Sequence, residues 1–176
     1  MAIDKIQSES INLADNFAFT GTVTGAGGVM TPYFQAYLGS THAISNNTFT
    51  KINFDTEEFD TGGCYDTSNK RFTPTTAGKY FVYFHMVLES GGTRRIEYAQ
   101  PRLYKNGSNV KGVTPVYSAD NISWQTTGVV NTIIDMNGSS DYLEVYARIN
   151  DFGGSSPKVI GGDATKASFG AYKIIE

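Results

Sequence analysis

The sequence predicts an all-β fold, and three features of its pattern support that prediction. The longest apolar run, Tyr80 to Leu88, is rich in aromatic and β-branched side chains and is apolar at both odd and even positions, as in a strand covered on both faces. No window of about twelve residues has helical periodicity, and 19 glycines with only 18% charged residues disfavour helices. Turn signals recur between apolar stretches, at Asn106-Gly107, Asn137-Gly138, Gly91-Gly92 and Gly153-Gly154. These features together predict a sandwich, jelly roll or barrel.

Residues 1–30 do not share this pattern. They are small and polar, with a short alternation at Phe17, Phe19 and Val23 that ends in a glycine-rich junction. We interpret them as an extended amino-terminal arm that only an assembly would hold in place. They lack the basic stretch and apolar core of a signal peptide, so we expect no ordinary secretion.

Residues 31–176 are predicted to form the β domain. The candidate strands are short apolar or alternating segments bounded by turn residues. They are Tyr33–Leu38, Thr48–Phe54, Arg71–Thr73, Lys79–Leu88, Glu97–Tyr104, Val110–Val113, Val129–Met136, Tyr142–Ile149 and Ser168–Ile175.

Composition excludes several functions. A formal net charge of −3 over 176 residues gives no electrostatic reason to expect a nucleic-acid partner. No apolar run approaches the roughly 18 residues of a membrane span. The only cysteine, Cys64, cannot form an internal disulfide, and we expect it to be a small buried thiol.

The sequence contains none of the common catalytic motifs, so we predict no enzyme activity and no cofactor. His42 and His85 could supply a zinc site only by meeting copies of themselves around a symmetry axis, and a structural role is the simpler explanation. An acidic group could bind calcium, but a solvated loop explains it more simply. Its members are Asp55, Glu57, Glu58, Asp60 and Asp66.

The central segment has a distinctive series of residues: Gly63, Tyr65, Arg71-Phe72-Thr73, Pro74, Gly78, Tyr80 to Tyr83 and His85. In this series it resembles the globular head of subcomponent q of the first complement component, a jelly roll shared with the tumour necrosis factor ligands, with three residues instead of two between the proline and the glycine. The match continues in Leu103-Tyr104-Lys105-Asn106-Gly107, in Gly138 to Tyr146 and in Ser168 to Tyr172. Ala171 stands where the family usually has its closing glycine, and two serines separate Gly138 from Asp141. The resemblance implies a two-sheet jelly-roll sandwich of about ten strands.

The resemblance also implies a homotrimer, and the strand pattern favours one. A two-sheet sandwich covers one face of each sheet, so a strand that is apolar on both faces needs a partner for the second. Half-exposed tyrosines on a monomer are the alternative. The candidate interface residues are Tyr80, Phe81, Tyr83, His85, Tyr142, Tyr146, Tyr172 and Ile174.

The leader SESINLADNFAFTGTVTGAGG resembles the short amino-terminal segments of virion structural proteins of tailed bacteriophages. This resemblance implies a structural protein on the virion surface, assembled in the host cytoplasm, whose arm grips a capsid or tail protein. A capsid decoration protein, knob or short head fibre is the leading expectation. The candidate anchor residues of the arm are Ile11, Leu13, Phe17, Phe19 and Val23.

Two other classes of function remain open. A tail fibre or adhesin would bind host glycan or receptor through loops 89–95, 114–124 and 150–166. Trp124 lies in this region and could stack on a sugar, although we expect it to belong to the core. A hydrolase would need a cleft that gathers an acid, a base and a nucleophile.

Overall fold

The computed structural model describes residues 30–92, 95–117, 123–152 and 156–174. These residues form thirteen β-strands and no helix, in two antiparallel sheets. No helix in these ranges could therefore cross a membrane. The arm up to residue 29 lies outside the described residues, as do its anchor candidates Ile11, Leu13, Phe17, Phe19 and Val23.

The first sheet, sheet A, has seven strands. They are β1 (Tyr33–Tyr37), β2 (His42–Ala43), β4 (Thr56–Thr61), β7 (Gly78–Glu89), β10 (Gln125–Met136), β12 (Lys158–Val159) and β13 (Ala167–Lys173). The order is β2-β12-β7-β13-β1-β4, and β10 pairs with the other edge of β7. The long central strand β7 thus has a neighbour along each of its edges.

The second sheet, sheet B, has six strands. They are β3 (Thr50–Lys51), β5 (Tyr65–Asp66), β6 (Arg71–Phe72), β8 (Ile96–Lys105), β9 (Ser108–Gly112) and β11 (Leu143–Asp151). The order is β5-β6-β11-β8-β9, with β3 also paired to β11. The predicted two-sheet sandwich is confirmed, although several of its strands are only two residues long.

The core lies between the two sheets, and aromatic rings occupy one end of it. Phe34 on β1 is 0% exposed. Its ring stacks on Phe72 at 4.4 Å and on Tyr65 at 4.7 Å, and meets Phe169 edge-on at 4.9 Å between ring centroids. Phe34 and Phe169 come from sheet A, and Phe72 and Tyr65 from sheet B, so this cluster joins the two layers.

The hairpin between β8 and β9 follows its predicted turn chemistry. Asn106 has φ of 52° and Gly107 has φ of 78°. Two successive positive φ values are what a two-residue turn of type I′ requires, and Asn-Gly is its preferred dipeptide. The Asn106 side chain also accepts a hydrogen bond from the Tyr142 N–H at 2.9 Å, which ties the hairpin to the start of β11.

Strand β4 was missed by the sequence-based prediction, which placed its acidic residues in a solvated loop. Glu57, Glu58 and Asp60 belong to a six-residue strand that pairs with β1 at the edge of sheet A. Charged side chains are common on edge strands because they oppose unwanted pairing with another chain. The predicted strand Thr48–Phe54, in contrast, shrinks to the two residues of β3.

Candidate interaction surfaces

The outward side of sheet A carries many apolar and aromatic side chains, with polar ones such as Asn131 and Gln35 among them, and we call this side the aromatic face. Side chains alternate along β7, so Val82, Phe84 and Met86 are buried while the residues between them point outward and are half-buried. Neighbouring strands contribute outward residues in register. The aromatic face comprises Tyr33, Phe59, Phe81, Tyr83, His85, Val129, Ile133 and Tyr172.

The half of the aromatic face near β10 is the more exposed to solvent. Val129 pairs with His85 and Ile133 pairs with Phe81 across the β7–β10 ladder. Val129 and Ile133 are each 56% exposed. Phe81 packs on Tyr172 with ring centroids 5.3 Å apart. Exposed apolar surface of this kind is typical of interaction sites on soluble proteins, although Asn131 separates Val129 from Ile133 along β10.

The half of the aromatic face near β1 contains an apolar hollow of ≈ 340 Å³, which we call the β1 hollow. Tyr33 and Phe59 form part of its wall and meet edge-on at 5.7 Å between ring centroids. Met30, the first described residue, also lines it and is 52% exposed. The remaining lining residues are Phe34, Tyr83, Ala171 and Tyr172.

Tyr83 is held in place at the middle of the aromatic face. Its hydroxyl donates a hydrogen bond to Gln35 Oε1 at 2.6 Å, and the Gln35 amide in turn donates to Glu58. A Cβ at residue 170 would lie 2.4 Å from the Tyr83 hydroxyl, so only Gly170 leaves room for this ring. Burial raises the pKa of Tyr83, with smaller contributions from the charge of Glu58 and from Tyr172. Tyr83 therefore remains a neutral hydrogen-bond donor.

His85 is fixed by two hydrogen bonds to residues near and within β13. Its Nδ1 lies 3.1 Å from the Ser168 hydroxyl, and its Nε2 lies 3.2 Å from the carbonyl oxygen of Thr165. The carbonyl can only accept, so Nε2 carries the proton and Nδ1 accepts from Ser168. Because a backbone carbonyl rather than a carboxylate orients the ring, and because Ser168 is buried, this pair differs from a serine–histidine–acid triad.

The structure brings together four of the predicted interface candidates, Phe81, Tyr83, His85 and Tyr172, on the aromatic face. Ile174 follows β13, is half-buried and donates its N–H to the Lys79 carbonyl at 2.8 Å.

The prediction that Tyr80 belongs to the interface is wrong, because this side chain is 0% exposed. It packs in the core edge-on to Phe72, with ring centroids 5.7 Å apart. It has the same parity as Val82 and Phe84, which are also core residues, so it cannot take part in a contact between chains.

Tyr142 and Tyr146 lie apart from the aromatic face, since Tyr146 belongs to sheet B and Tyr142 directly precedes β11. Tyr146 belongs to β11, and its ring packs on Tyr104 at 4.3 Å between centroids. The Arg71 guanidinium lies over the Tyr142 ring, with its Cζ 3.7 Å from the ring centroid. Tyr146 alternates with the buried Val145 and Ala147 and so points away from the core, on the side of the sandwich opposite the aromatic face. They therefore lie on a different surface from the four candidates of the aromatic face.

The outward side of β11 carries a charged cluster instead. Glu144 is 3% exposed and accepts hydrogen bonds from Lys51 at 3.1 Å and Arg71 at 2.9 Å, while the Tyr146 hydroxyl also contacts it. Burial alone would raise the pKa of Glu144, but the hydrogen bonds and positive charges of Arg71 and Lys51 outweigh it. The pKa of Glu144 is therefore held below its usual value. This carboxylate joins β3, β6 and β11.

Replacing Glu144 with glutamine should lower the free energy of unfolding at pH 7 by about 2 kcal/mol, since two cations lose a buried partner while remaining about one third exposed. The stabilisation is present above the pKa of about 4.5 in the unfolded chain and is lost as the pH falls through the lower folded-state value. Urea unfolding from pH 7 to pH 3 should therefore show a steeper loss for the wild type than for E144Q. Parallel curves would contradict the assignment.

The loops at one end of the sandwich expose two aromatic rings, which corrects the expectation that Trp124 belongs to the core. Trp124 is 56% exposed, and its carbonyl accepts the Ser90 N–H at 2.8 Å. Phe152 is also exposed, and the Cζ atom of Arg95 lies 4.4 Å above the centroid of its ring. The Phe152 N–H donates to the Arg95 carbonyl at 2.9 Å, and the Ile96 N–H donates to the Ser123 carbonyl at 2.8 Å, so the segments that carry the two rings meet at this end. The predicted binding loops thus present aromatic surface to solvent.

The described part of the chain contains no group of three or more histidine, cysteine or acidic side chains arranged to hold a metal ion. Asp60 Oδ2 accepts the Tyr65 N–H at 2.7 Å, and Asp66 caps its own turn by accepting from the Ser68 N–H at 2.7 Å. His42 is half-buried, and burial lowers its pKa, although Asp55 opposes this effect. Cys64 is buried, as predicted.

Comparison with known proteins supports the fold alone. No family model and no curated protein matches the chain. Among solved structures, murine APRIL at pH 8.0 aligns with a TM-score of 0.58 at 8% identity, over 81% of this chain and 98% of that one. The Eiger TNF of S. frugiperda aligns with a TM-score of 0.54 at 11% identity, over 81% of this chain and 90% of that one. The described domain therefore has a tumour necrosis factor-like jelly-roll fold, which confirms that prediction.

Proposed function

We propose that this jelly-roll chain is a non-enzymatic structural protein that forms a homotrimer on the surface of a tailed-phage virion, as a capsid decoration protein, knob or short head fibre. Its amino-terminal arm anchors the trimer to a capsid or tail protein. The observation that carries the proposal is the aromatic face, an apolar surface on a fold whose core is already complete without it.

The energetics of this surface support the proposed trimer. Val129 and Ile133 expose more than half of their area, and Phe81 is half-buried beside them. Burying apolar surface contributes roughly 25 cal/mol per Å², and a closed ring of identical copies buries such a patch on every copy. The half of the aromatic face near β10 is the proposed contact, because Val129 and Ile133 are more exposed than Tyr33 and Phe59 in the other half.

The virion role is supported by the resemblance of the leader to phage structural proteins and by the division of the chain into a polar arm and a β domain. The interior of the described domain supplies no alternative chemistry. Its hydroxyl–imidazole contact is oriented by a carbonyl, and its buried carboxylate Glu144 is saturated by Lys51 and Arg71.

Deleting residues 1–28 should leave a folded trimer that no longer enters particles. The test compares purified particles from a phage that carries the deletion with particles from one that carries the intact gene, by quantitative mass spectrometry. Circular dichroism and light scattering of the purified variant provide the control for folding and assembly. Incorporation at the wild-type level would contradict the anchor assignment.

A tail fibre or adhesin is the second candidate, and the exposure of Trp124 favours it. An indole that is 56% exposed can stack on a sugar, and the same end of the sandwich exposes a second ring, Phe152. Trp124→Ala should reduce binding to host cells or purified surface glycan at least tenfold while leaving the melting temperature unchanged, since exposed side chains contribute little to stability. Val110→Ala, at an exposed apolar position on β9 outside these loops, is the matched control. Equal binding by both variants would remove this candidate.

A further inference from the structure

Two arginines, Arg102 on β8 and Arg148 on β11, lie side by side on the outward surface of sheet B. Arg148 lies opposite Gln100 in the β8–β11 ladder, and Arg102 is two residues further along β8 on the same side. Diagonal neighbours of this kind are about 7–8 Å apart, within the reach of long side chains. Burial lowers the pKa of Arg102, and the positive charge of Arg148 lowers it further. The fold therefore holds two cations close enough to repel each other.

The acidic side chains on this surface do not offset the repulsion. Glu144 is already engaged by two other cations, and Glu97 accepts a hydrogen bond from the Asn150 amide. Within the described ranges of the chain, no carboxylate forms an ion pair with Arg102 or Arg148. A negative charge supplied by a ligand would therefore stabilise this pair of arginines.

Neutral groups hold the Arg102 side chain in place. Its guanidinium donates hydrogen bonds to the Val113 carbonyl and, at 2.7 Å, to the Thr114 hydroxyl. A Cβ at residue 112 would lie 2.4 Å from the Arg102 Cδ, so Gly112 leaves room for the side chain to cross β9. Arg102 is thus fixed by partners that leave its charge uncompensated.

Arg148 is also fixed, and it keeps donors available. Its Nε donates a hydrogen bond to Gln100 Oε1 at 2.8 Å. Its Cζ lies 4.7 Å from the ring centroid of Phe49 and 5.3 Å from that of Tyr98. No acceptor in the described part of the chain binds its two terminal amino groups. A guanidinium with a fixed plane and free terminal donors matches the two oxygens of a carboxylate.

The surroundings favour an acidic saccharide over an extended peptide. Strands β8 and β11 are paired along both edges beside the arginines, so they offer a peptide no strand edge to extend. A ligand must therefore bind through side chains. Tyr146 lies opposite Arg102 and packs on Tyr104, with ring centroids 4.3 Å apart. Aromatic rings beside amide and hydroxyl groups provide the mixed apolar and polar contacts that a sugar ring needs.

We propose that Arg148, with Arg102 and Gln100 beside it, binds the carboxylate of an acidic saccharide, such as a hexuronic acid, on the outward surface of sheet B. The terminal amino groups of Arg148 bind both carboxylate oxygens, and the Tyr104–Tyr146 pair contacts the sugar ring. This surface lies opposite the aromatic face, so a trimer formed through that face leaves it accessible. The inference goes beyond the proposed function, because it assigns a ligand to the domain itself, at a site separate from Trp124 and independent of any particle.

Titration of the purified full chain with tetramers of galacturonic acid and of glucuronic acid, followed by saturation-transfer difference NMR, tests the ligand class. At least one tetramer should bind, and its methyl ester, which keeps the sugar rings but carries no charge, should bind about tenfold more weakly. No binding of either tetramer at millimolar concentration, or equal binding of the ester, would overturn the inference. Comparable affinity for tetraglutamate would overturn the choice of a saccharide.

Variants of the arginine test the location. Arg148→Met keeps the apolar contacts with Phe49 and Tyr98 but removes the donors, so it should weaken binding of the tetramer about tenfold with little change in melting temperature. Lys111→Met is the matched control, because Lys111 lies opposite the inward-pointing Leu103 and so on the other side of sheet B. It should bind as the wild type does. Equal weakening in both variants would mean that only overall charge matters, which would overturn the site.

Arg148→Lys separates a paired contact from a simple positive charge. Lysine keeps the charge but lacks the planar fork, so this variant should bind the tetramer several-fold more weakly than the wild type. Binding at the wild-type level would contradict the carboxylate contact. None of these measurements depends on trimer formation or on particle assembly, so the site and the proposed virion role can fail separately.

Discussion

Replacing Val129 and Ile133 together with glutamate should convert a trimer of about three times 19.2 kDa into a folded monomer of 19.2 kDa. Both side chains are 56% exposed in the single chain, so the substitution removes little core packing and should leave the fold intact. In a trimer the change would bury six carboxylates against the rings of Phe81 and its copies. Burying an unpaired charge costs several kcal/mol, which is more than such a contact can supply per residue.

Multi-angle light scattering at micromolar concentration measures the result, with circular dichroism confirming the fold. Phe152→Glu is the control, because Phe152 is comparably exposed but lies at the loop end of the sandwich. It should remain trimeric. A wild-type mass of 19.2 kDa would disprove the trimer, and an unchanged mass of the double variant would place the interface elsewhere.

Phe34→Ala should lower the free energy of unfolding by about 4 kcal/mol. The ring is 0% exposed and contacts Phe72, Tyr65 and Phe169 at centroid distances of 4.4 to 4.9 Å, so its removal leaves a cavity at the junction of both sheets. Domains are usually stable by only 5–15 kcal/mol, and the melting temperature should fall by roughly 10 °C.

Urea denaturation and thermal melts measure this loss. The neighbouring residue Tyr33 supplies the control, since it is exposed on the opposite side of the same strand. Tyr33→Ala should cost less than about 1 kcal/mol. Similar losses for the two variants would show that the cluster does not hold the sheets together.

The sequence was most informative where local pattern and tertiary context agree. The nine-residue run at Tyr80 has the alternation observed in β7, and Asn106-Gly107 forms the turn its chemistry requires. Strand β4 was not predicted, because an edge strand can carry charged side chains and its acidic sequence is also typical of a loop.

The interface candidates show where the pattern stops being informative. Alternation along β7 distinguishes the outward-pointing Phe81 from the buried Phe84. The same alternation does not reveal which sheet a strand joins. Tyr146 and Phe81 both point outward, yet they lie on opposite surfaces of the sandwich. Trp124 was misplaced for a related reason, because the exposure of a loop residue depends on neighbouring loops that are distant in sequence.

The position of β13 between β1 and β7 also constrains how the protein can be made. Until residues 167–173 leave the ribosome, β1 and β7 have no common neighbour, and both present open hydrogen-bonding edges beside the aromatic face. Such unpaired edges make a nascent chain prone to aggregate. We therefore expect the sandwich to close only after this strand emerges, and pausing of translation before Ala167 should increase the demand for chaperones.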